Sequence, residues 1–393
     1  MKKFLLSLAV ALPLVANAEL IQHTDQIAEV RFTGSSYELG YHVGTEGKEQ
    51  ILDAIDRFND TLGIMLPGLN VISLAKSFDG NQVFLHLSKT SPDAAAYISG
   101  MADALNRSPN LLLAVAMSDE AILESQRNGG LGFLQTEASG HNPAAPSKCT
   151  TFGYSNEAGH AWAGANFDYM GINYEGLIVL NHTDLNGDTR VIQTWAGLIP
   201  YGGISKGGQA ILMNTMADEG TAREQAGEDI IQVDAVPSFY LSWEAYNASN
   251  AADLISSFQA HDKYTAFFSY TVVDSKAKVM NIENNFGGAV NYRYASKLAH
   301  ANHSVFIEKP FVNSDFAAHS LARQDSAERF IKRANANTSQ AAVRQQLESK
   351  PLWKGRGKLM GTVTSTYFTI SPSETVMHIK TDNNHPVVSI SNR

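Results

Sequence analysis

Two apolar runs, L-I-V-L-N-H-T (Leu177 to Thr183) and T-R-V-I-Q-T-W (Thr189 to Trp195), flank a short stretch that contains Asn186-Gly187. Asn-Gly accepts the left-handed backbone that a tight hairpin turn requires, so the two runs are predicted to be antiparallel strands. The pattern recurs. T-T-F-G-Y-S and H-A-W-A-G-A-N flank a turn at Asn156 to Gly159, and Q-A-I-L-M-N, F-F-S-Y-T-V-V-D, K-V-M-N-I-E, T-V-T-S-T-Y-F-T-I and T-V-M-H-I-K continue the series. Strands joined by short turns imply largely antiparallel sheets.

The first third has a different texture. From about Ser35 to Asn128 the chain reads as helical, with Leu39, Val43, Ile51, Ile55, Phe58 and Leu62 recurring on one face. Ser91-Pro92-Asp93 and Ser108-Pro109-Asn110 each place a cap before a first-turn proline, which marks two further helix starts. Later helices are expected near Ser238 to Asn247, Ala251 to Ala260 and Ala322 to Leu347. Grouped helices beside grouped hairpins predict an α+β protein built in layers. No internal repeat or low-complexity tract interrupts the chain.

The chain opens with Lys2-Lys3, an apolar run from Phe4 to Val15 and then Ala16-Asn17-Ala18, the three parts of a secretory signal peptide. The expectation is a signal peptide over 1-18, removal ahead of Glu19, and a product exported to the periplasm or the medium. No apolar stretch reaches the ~20 residues of a membrane helix, so stable insertion is not expected. The formal net charge is −9, and losing Lys2 and Lys3 takes it to −11. That balance argues against nucleic acid or an anionic membrane as partner.

Export sharpens the question posed by Cys149, the single cysteine in 393 residues. In an oxidising compartment cysteines usually pair, and this one has no partner in its own chain. It is a buried inert thiol, half of an intermolecular bridge, or a nucleophile. Its setting bears on the choice. Asn128 to Lys148 is rich in Gly, Pro, Ser and Asn and reads as an exposed loop, and a strand begins directly after Cys149. Cleavage of the Lys148-Cys149 bond would put a thiol and a new α-amine on one residue at the tip of a rigid element, nucleophile and base together.

Cys149-Thr150-Thr151, followed by G-A-N-F-D-Y from Gly164 to Tyr169, resembles the choloylglycine hydrolase and acyl-coenzyme A:6-aminopenicillanate acyltransferase group of N-terminal nucleophile hydrolases, peptidase family C45-like. G-S-S-Y-E-L-G-Y-H-V-G (Gly34 to Gly44) and I-S-G-M-A-D-A (Ile98 to Ala104) are similar to two helix signatures of the acyltransferase branch. Asn214 in L-M-N-T-M-A-D-E-G occupies the place of the Asn-x-x-Gly segment, with two extra residues before Gly220, and H-A-N-H (His300 to His303) is similar to H-T-N-H. The resemblance covers nearly the whole mature chain.

It implies a four-layer αββα sandwich of two mainly antiparallel sheets. It further implies self-cleavage at Lys148-Cys149 into chains 19-148 and 149-393 of one domain, and hydrolysis or acyl transfer on a linear non-peptide amide through a cysteinyl acyl-enzyme. By the same resemblance Cys149 is the nucleophile, Asp168 orients its amine, and Asn302 donates to the oxyanion. Asn166 and Asn214 support the site. No cofactor and no metal is expected, and the partner is a small-molecule amide.

Two positions depart from the group. Ala165 stands where the bile-salt hydrolase and ceramidase branches carry an arginine, and Lys148 precedes the nucleophile where a small or acidic residue is more familiar. These departures are what a non-catalytic exported binding protein on the same fold would permit; the joint presence of Cys149, Asp168 and Asn302 favours an enzyme. Gly203-Ile204-Ser205-Lys206-Gly207 matches G-x-S-x-G, but a strand rather than a helix is expected after it. Ser73-Leu74-Ala75-Lys76 matches S-x-x-K without its companion motifs, and the twelve histidines show no metal-ligand spacing.

Overall fold

A computed structural model describes residues 19–65, 68–118, 120, 149–156, 158–216, 231–284, 289–306, 315–358 and 360–393. The expected signal peptide, the loop up to Lys148 with Lys148 itself, and Gly220 lie outside the described residues.

The described chain builds two sheets. β1 (Glu19–Gln22), β2 (Ile27–Thr33), β5 (Leu177–Thr183), β6 (Thr189–Trp195), β7 (Ile199–Ile204), β8 (Ala210–Thr215), β9 (Phe268–Val273), β10 (Val279–Asn284) and β11 (Val290–Ala295) form a nine-stranded sheet in that order. β12 (Lys297–His300), β3 (Thr150–Ser155), β4 (Ala161–Met170), β13 (Met360–Ile370), β14 (Thr375–Lys380) and β15 (Val388–Ser391) form a six-stranded one. Pairing is antiparallel except between β2 and β5, where the long helical excursion between them makes a parallel return possible. The sheets stack face to face over a common apolar core. Buried polar ties cross the interface: Thr151 meets Thr271 at 2.9 Å, and Gln193 takes a bond from Thr366 and gives one to Thr364. At Gly153 the sheets come so close that a Cβ would lie 2.4 Å from Val273.

Helices cover both outer faces. α1 (Ser36–Glu46), α2 (Lys48–Met65), α3 (Val71–Gly80), α4 (Val83–Thr90), α5 (Pro92–Leu105), α6 (Pro109–Ala116), α7 (Ser238–Asn247) and α8 (Ala251–Gln259) lie on the nine-stranded side. α9 (Asp315–Arg333) and α10 (Gln340–Leu347) lie on the other. The layer order is αββα. The two glycine-bearing helix signatures are a crossing: a Cβ on Gly40 would sit 2.0 Å from the Tyr97 carbonyl oxygen, and one on Gly100 2.0 Å from that of Tyr37. Only glycine lets α1 and α5 approach so closely.

The helix expected from Ala322 to Leu347 is two helices, α9 and α10. The intervening N-A-N-T-S offers side chains that compete for the backbone. Asn335 Oδ1 accepts from Asn337 N–H at 2.8 Å, Thr338 Oγ1 accepts from Asn335 N–H at 2.9 Å, and Ser339 caps α10 through Ala342 N–H.

Candidate active site

β3 places Cys149. The antiparallel register sets Thr150 against Asn166 and Thr151 against Ala165, so Cys149, one residue before β3, falls across from Phe167 and one position short of Asp168. The pleat then sorts neighbours onto two faces. Thr151 and Ala165 face the other sheet, whereas Thr150 and Asn166 face the helix layer. Asn166 is wholly buried there, donating to the Leu347 carbonyl at the end of α10 and accepting from Ser365 Oγ at 2.6 Å.

Arg323, from α9, enters the same layer and is fully buried. Its guanidinium donates to the Cys149 carbonyl at 2.5 Å, Thr150 Oγ1 at 2.7 Å and Asn302 Oδ1 at 2.6 Å, and Nε donates to His319 Nδ1 at 3.0 Å. Burial pulls Arg323 down to about 10 against the opposing pull of Asp168 and Cys149, so it stays cationic at neutral pH. Burial and the Arg323 charge push His319 down to about 3; its neutral ring can therefore accept from that cation.

Asn302 is held rigidly. Arginine only donates, so the Asn302 atom facing it is the oxygen, which fixes the amide orientation. One amide N–H goes to the Thr215 carbonyl at 2.7 Å, the backbone N–H goes to Ser320 Oγ at 2.9 Å, and the second amide N–H is uncommitted among the described residues. Asn214 braces the segment before it, donating to the carbonyls of His300 and Ala301 at 2.8 and 2.6 Å. His303 sits against Ser320 Oγ at 2.9 Å, pushed down to about 4 chiefly by burial.

Cys149 and Asp168 both line a cavity of about 50 Å³ between the sheets. Its remaining walls include the apolar Phe167, Met213, Phe239 and Phe268, the ring of Tyr201, and the polar Ser118, Glu120, Thr215, Ser238 and Ser242. Phe167 and Tyr201 stack with centroids 6.0 Å apart. The Asp168 carboxyl is buried, within the fields of Arg323 and Lys354. The structure thus places Cys149 and Asp168 at one end of the six-stranded sheet, with Asn302 linked to Cys149 through Arg323, Asn214 reaching the Asn302 segment from the nine-stranded sheet, and Asn166 on the helix-facing side.

The competing serines lie elsewhere. Ser205 is in the β7–β8 hairpin turn, its hydroxyl donating to Gln209 Oε1 at 2.5 Å, and a strand follows it. Ser73 is in the exposed capping box of α3. Among the described residues no group of three or more His, Cys, Asp or Glu side chains could hold a metal ion, and no helix is long and apolar enough to cross a membrane. Sequence reasoning missed Arg323 and His319. Arg323 recurs with Ser320, Ala327 and Ile331 on the buried stripe of α9, and a cation on an apolar helix face was the available signal.

The chain is similar in structure to the N-acylethanolamine-hydrolyzing acid amidase (NAAA) ortholog of Caenorhabditis elegans, with a TM-score of 0.40 and 16% identity, over 56% of this chain and 92% of that one. It is also similar to penicillin V acylase from Agrobacterium tumefaciens, with a TM-score of 0.37 and 10% identity, over 62% of this chain and 86% of that one. No protein-family model and no curated protein sequence matches the chain.

Proposed function

We propose that this chain is an exported cysteine amidohydrolase of the N-terminal nucleophile type, which exposes its own nucleophile by cutting the Lys148-Cys149 bond. The observation that carries the reading is the buried guanidinium of Arg323, which ties the backbone of Cys149, a residue that lines the cavity, to the side chain of Asn302. A structural free thiol needs no such bracket.

The chemistry follows from those parts. The freed α-amine takes the thiol proton, and the sulfur attacks the amide carbon. The carbonyl oxygen becomes an oxyanion, for which the preorientated second N–H of Asn302 is a donor that needs no reorganisation. The tetrahedral adduct collapses as its C–N bond breaks, the α-ammonium protonates the leaving amine, and an acyl thioester remains. Water, deprotonated by the same amine, then adds to the thioester and releases a carboxylic acid and the thiol. An amine in place of water gives acyl transfer. Asp168 is the anion beside the amine, holding its orientation. The aromatic and aliphatic walls suit an apolar acyl group, and the buried Glu120 beside them disfavours an anionic one.

The test is the intact mass and N-terminal sequence of the purified protein under denaturing conditions. Two chains, one beginning at Cys149, are expected. A single chain running through residue 148 would refute self-processing and leave the non-catalytic binding protein.

A further inference from the structure

The segment carrying Asn302 belongs to neither sheet, yet it is clamped from the opposite one. Glu283, on β10 of the nine-stranded sheet, is 2% exposed. Its Oε1 accepts from His300 Nε2 at 2.7 Å and from Val305 N–H at 2.9 Å, and its Oε2 accepts from Ser304 Oγ at 2.5 Å. The three donors bracket Asn302 on both sides. His300 in turn ends β12, paired with Thr151 of the strand that Cys149 begins. Burial raises the Glu283 carboxyl, but the bonds from His300 and Ser304 outweigh it and hold it below its ordinary value. The carboxylate is therefore the working form.

We infer that Glu283 is a positioning residue for the reaction: by gripping His300, Ser304 and Val305 it sets the height of the Asn302 amide against the Cys149 thiol, across the gap between the sheets. This rests on the amidohydrolase reading above. Glu283 touches no reacting atom and acts through Asn302. Two oxygens serving three donors suit a carboxylate. A glutamine keeps Oε1 for His300 and Val305 and turns its NH₂ toward Ser304, whose hydroxyl can accept; an alanine releases all three.

The experiment compares wild type, Glu283→Ala, Glu283→Gln, Asn302→Ala and the Glu283→Ala/Asn302→Ala double variant, with Cys149→Ala as control. Hydrogen exchange of the 300–305 segment reads the clamp without any substrate. It should quicken in Glu283→Ala, stay near wild type in Glu283→Gln, and change little in the outer strands. Turnover of hexanoyl and phenylacetyl 4-nitroanilides reads the consequence. Glu283→Ala should lose about 10- to 100-fold in kcat with KM within about threefold, Glu283→Gln should recover most of it, and the double variant should be no slower than Asn302→Ala alone. Unchanged exchange in Glu283→Ala overturns the inference, and so does quickened exchange with full turnover or with additive losses in the double variant. If Glu283→Ala does not fold, Glu283→Gln decides: a loss as deep as that of Asn302→Ala overturns the inference. Turnover retained by Cys149→Ala removes Cys149 as the nucleophile and sinks the cysteine-amidohydrolase reading instead, while the exchange data still report on the clamp.

Discussion

Replacing Arg323 by lysine separates two jobs that one guanidinium does, supplying charge and supplying a fork. Nη1 reaches the Cys149 carbonyl and Thr150 Oγ1 while Nη2 reaches Asn302 Oδ1 at 2.6 Å, and one ammonium nitrogen cannot stand at both positions. Lysine therefore keeps the cation and surrenders at least one arm. A buried hydrogen bond to a charged group is worth about 1.5–3 kcal/mol, so Arg323→Lys should cost about 2 kcal/mol of stability. Arg323→Met surrenders both arms and strands several acceptors, and should cost about 3–5 kcal/mol. With a chain this long each kcal/mol lowers Tm by about 2 °C, giving drops of roughly 4 °C and 8 °C in calorimetry. Activity should divide differently. On the amidohydrolase reading, Arg323→Met frees Asn302 to rotate and should lose about 10²-fold in kcat, the scale of one oxyanion donor, whereas Arg323→Lys should lose that much where its ammonium takes the Cys149 side and less where it keeps Asn302. The pH profile of Cys149 alkylation by iodoacetamide should move to higher pH in Arg323→Met alone, because only methionine removes the nearby cation. Equal alkylation profiles in wild type and Arg323→Met, or full turnover in Arg323→Met, would refute this account of the site.

Two further outcomes test the scaffold. His182 and His303 are both pushed down to about 4, chiefly by burial, and His182 accepts from Arg190 through Nδ1 while Nε2 meets the Gly34 carbonyl at 2.8 Å. Below pH 6.5 the unfolded chain binds protons at these rings that the folded chain refuses, so stability falls with pH, by about 2 kcal/mol per histidine at pH 5. Identical Tm values at pH 7.5 and 5 would contradict the neutral assignment. Gly100→Ala should cost about 2–3 kcal/mol, because its Cβ would lie 2.0 Å from the Tyr37 carbonyl oxygen and force α1 from α5. Gly63→Ala, also helical but with nothing within 4 Å, should instead stabilise by about 0.5–1 kcal/mol, and similar effects from the two would show that the crossing is not close-packed.

Much of the fold was legible because its elements announce themselves locally. The Asn186-Gly187 turn, with Gly187 at φ 89°, and the Ser-Pro starts of α5 and α6 lie where short-range chemistry puts them. What escaped was non-local. β2 is not among the predicted strands, and its parallel seat beside β5 is decided by packing between positions 150 apart in sequence, Ile27 against Leu177. β12 is four residues long, too short to declare itself, and it carries His300 to its place opposite Thr151. The site divides along the same line. Cys149, Asp168 and Asn302 stand in short motifs, whereas Arg323 reaches the Cys149 carbonyl from 174 residues away and Glu283 reaches His300 and Val305 from 17 and 22, which no spacing encodes.

The placement of Arg323 bears on position 165, where the branches this sequence resembles carry an arginine and this chain has Ala165. Ala165 is fully buried and pairs with Thr151 and Thr366, whose hydroxyls bond to Thr271 and Gln193 of the opposite sheet, so its side chain faces the apolar layer between the sheets. A cation there would stand on the same side as the cavity walls and could hold a carboxylated substrate. Arg323 delivers its charge from the helix side instead, through the backbone of Cys149 and the oxygen of Asn302. On the amidohydrolase reading, the nucleophile keeps a stabilising cation while position 165 leaves the substrate side without one. An anionic acyl group then gains nothing at position 165 to offset its desolvation, and a neutral one loses nothing. On that reading the cation and the apolar acyl site lie on opposite faces of one strand, with the Cys149 thiol on the cavity side and Arg323 behind it.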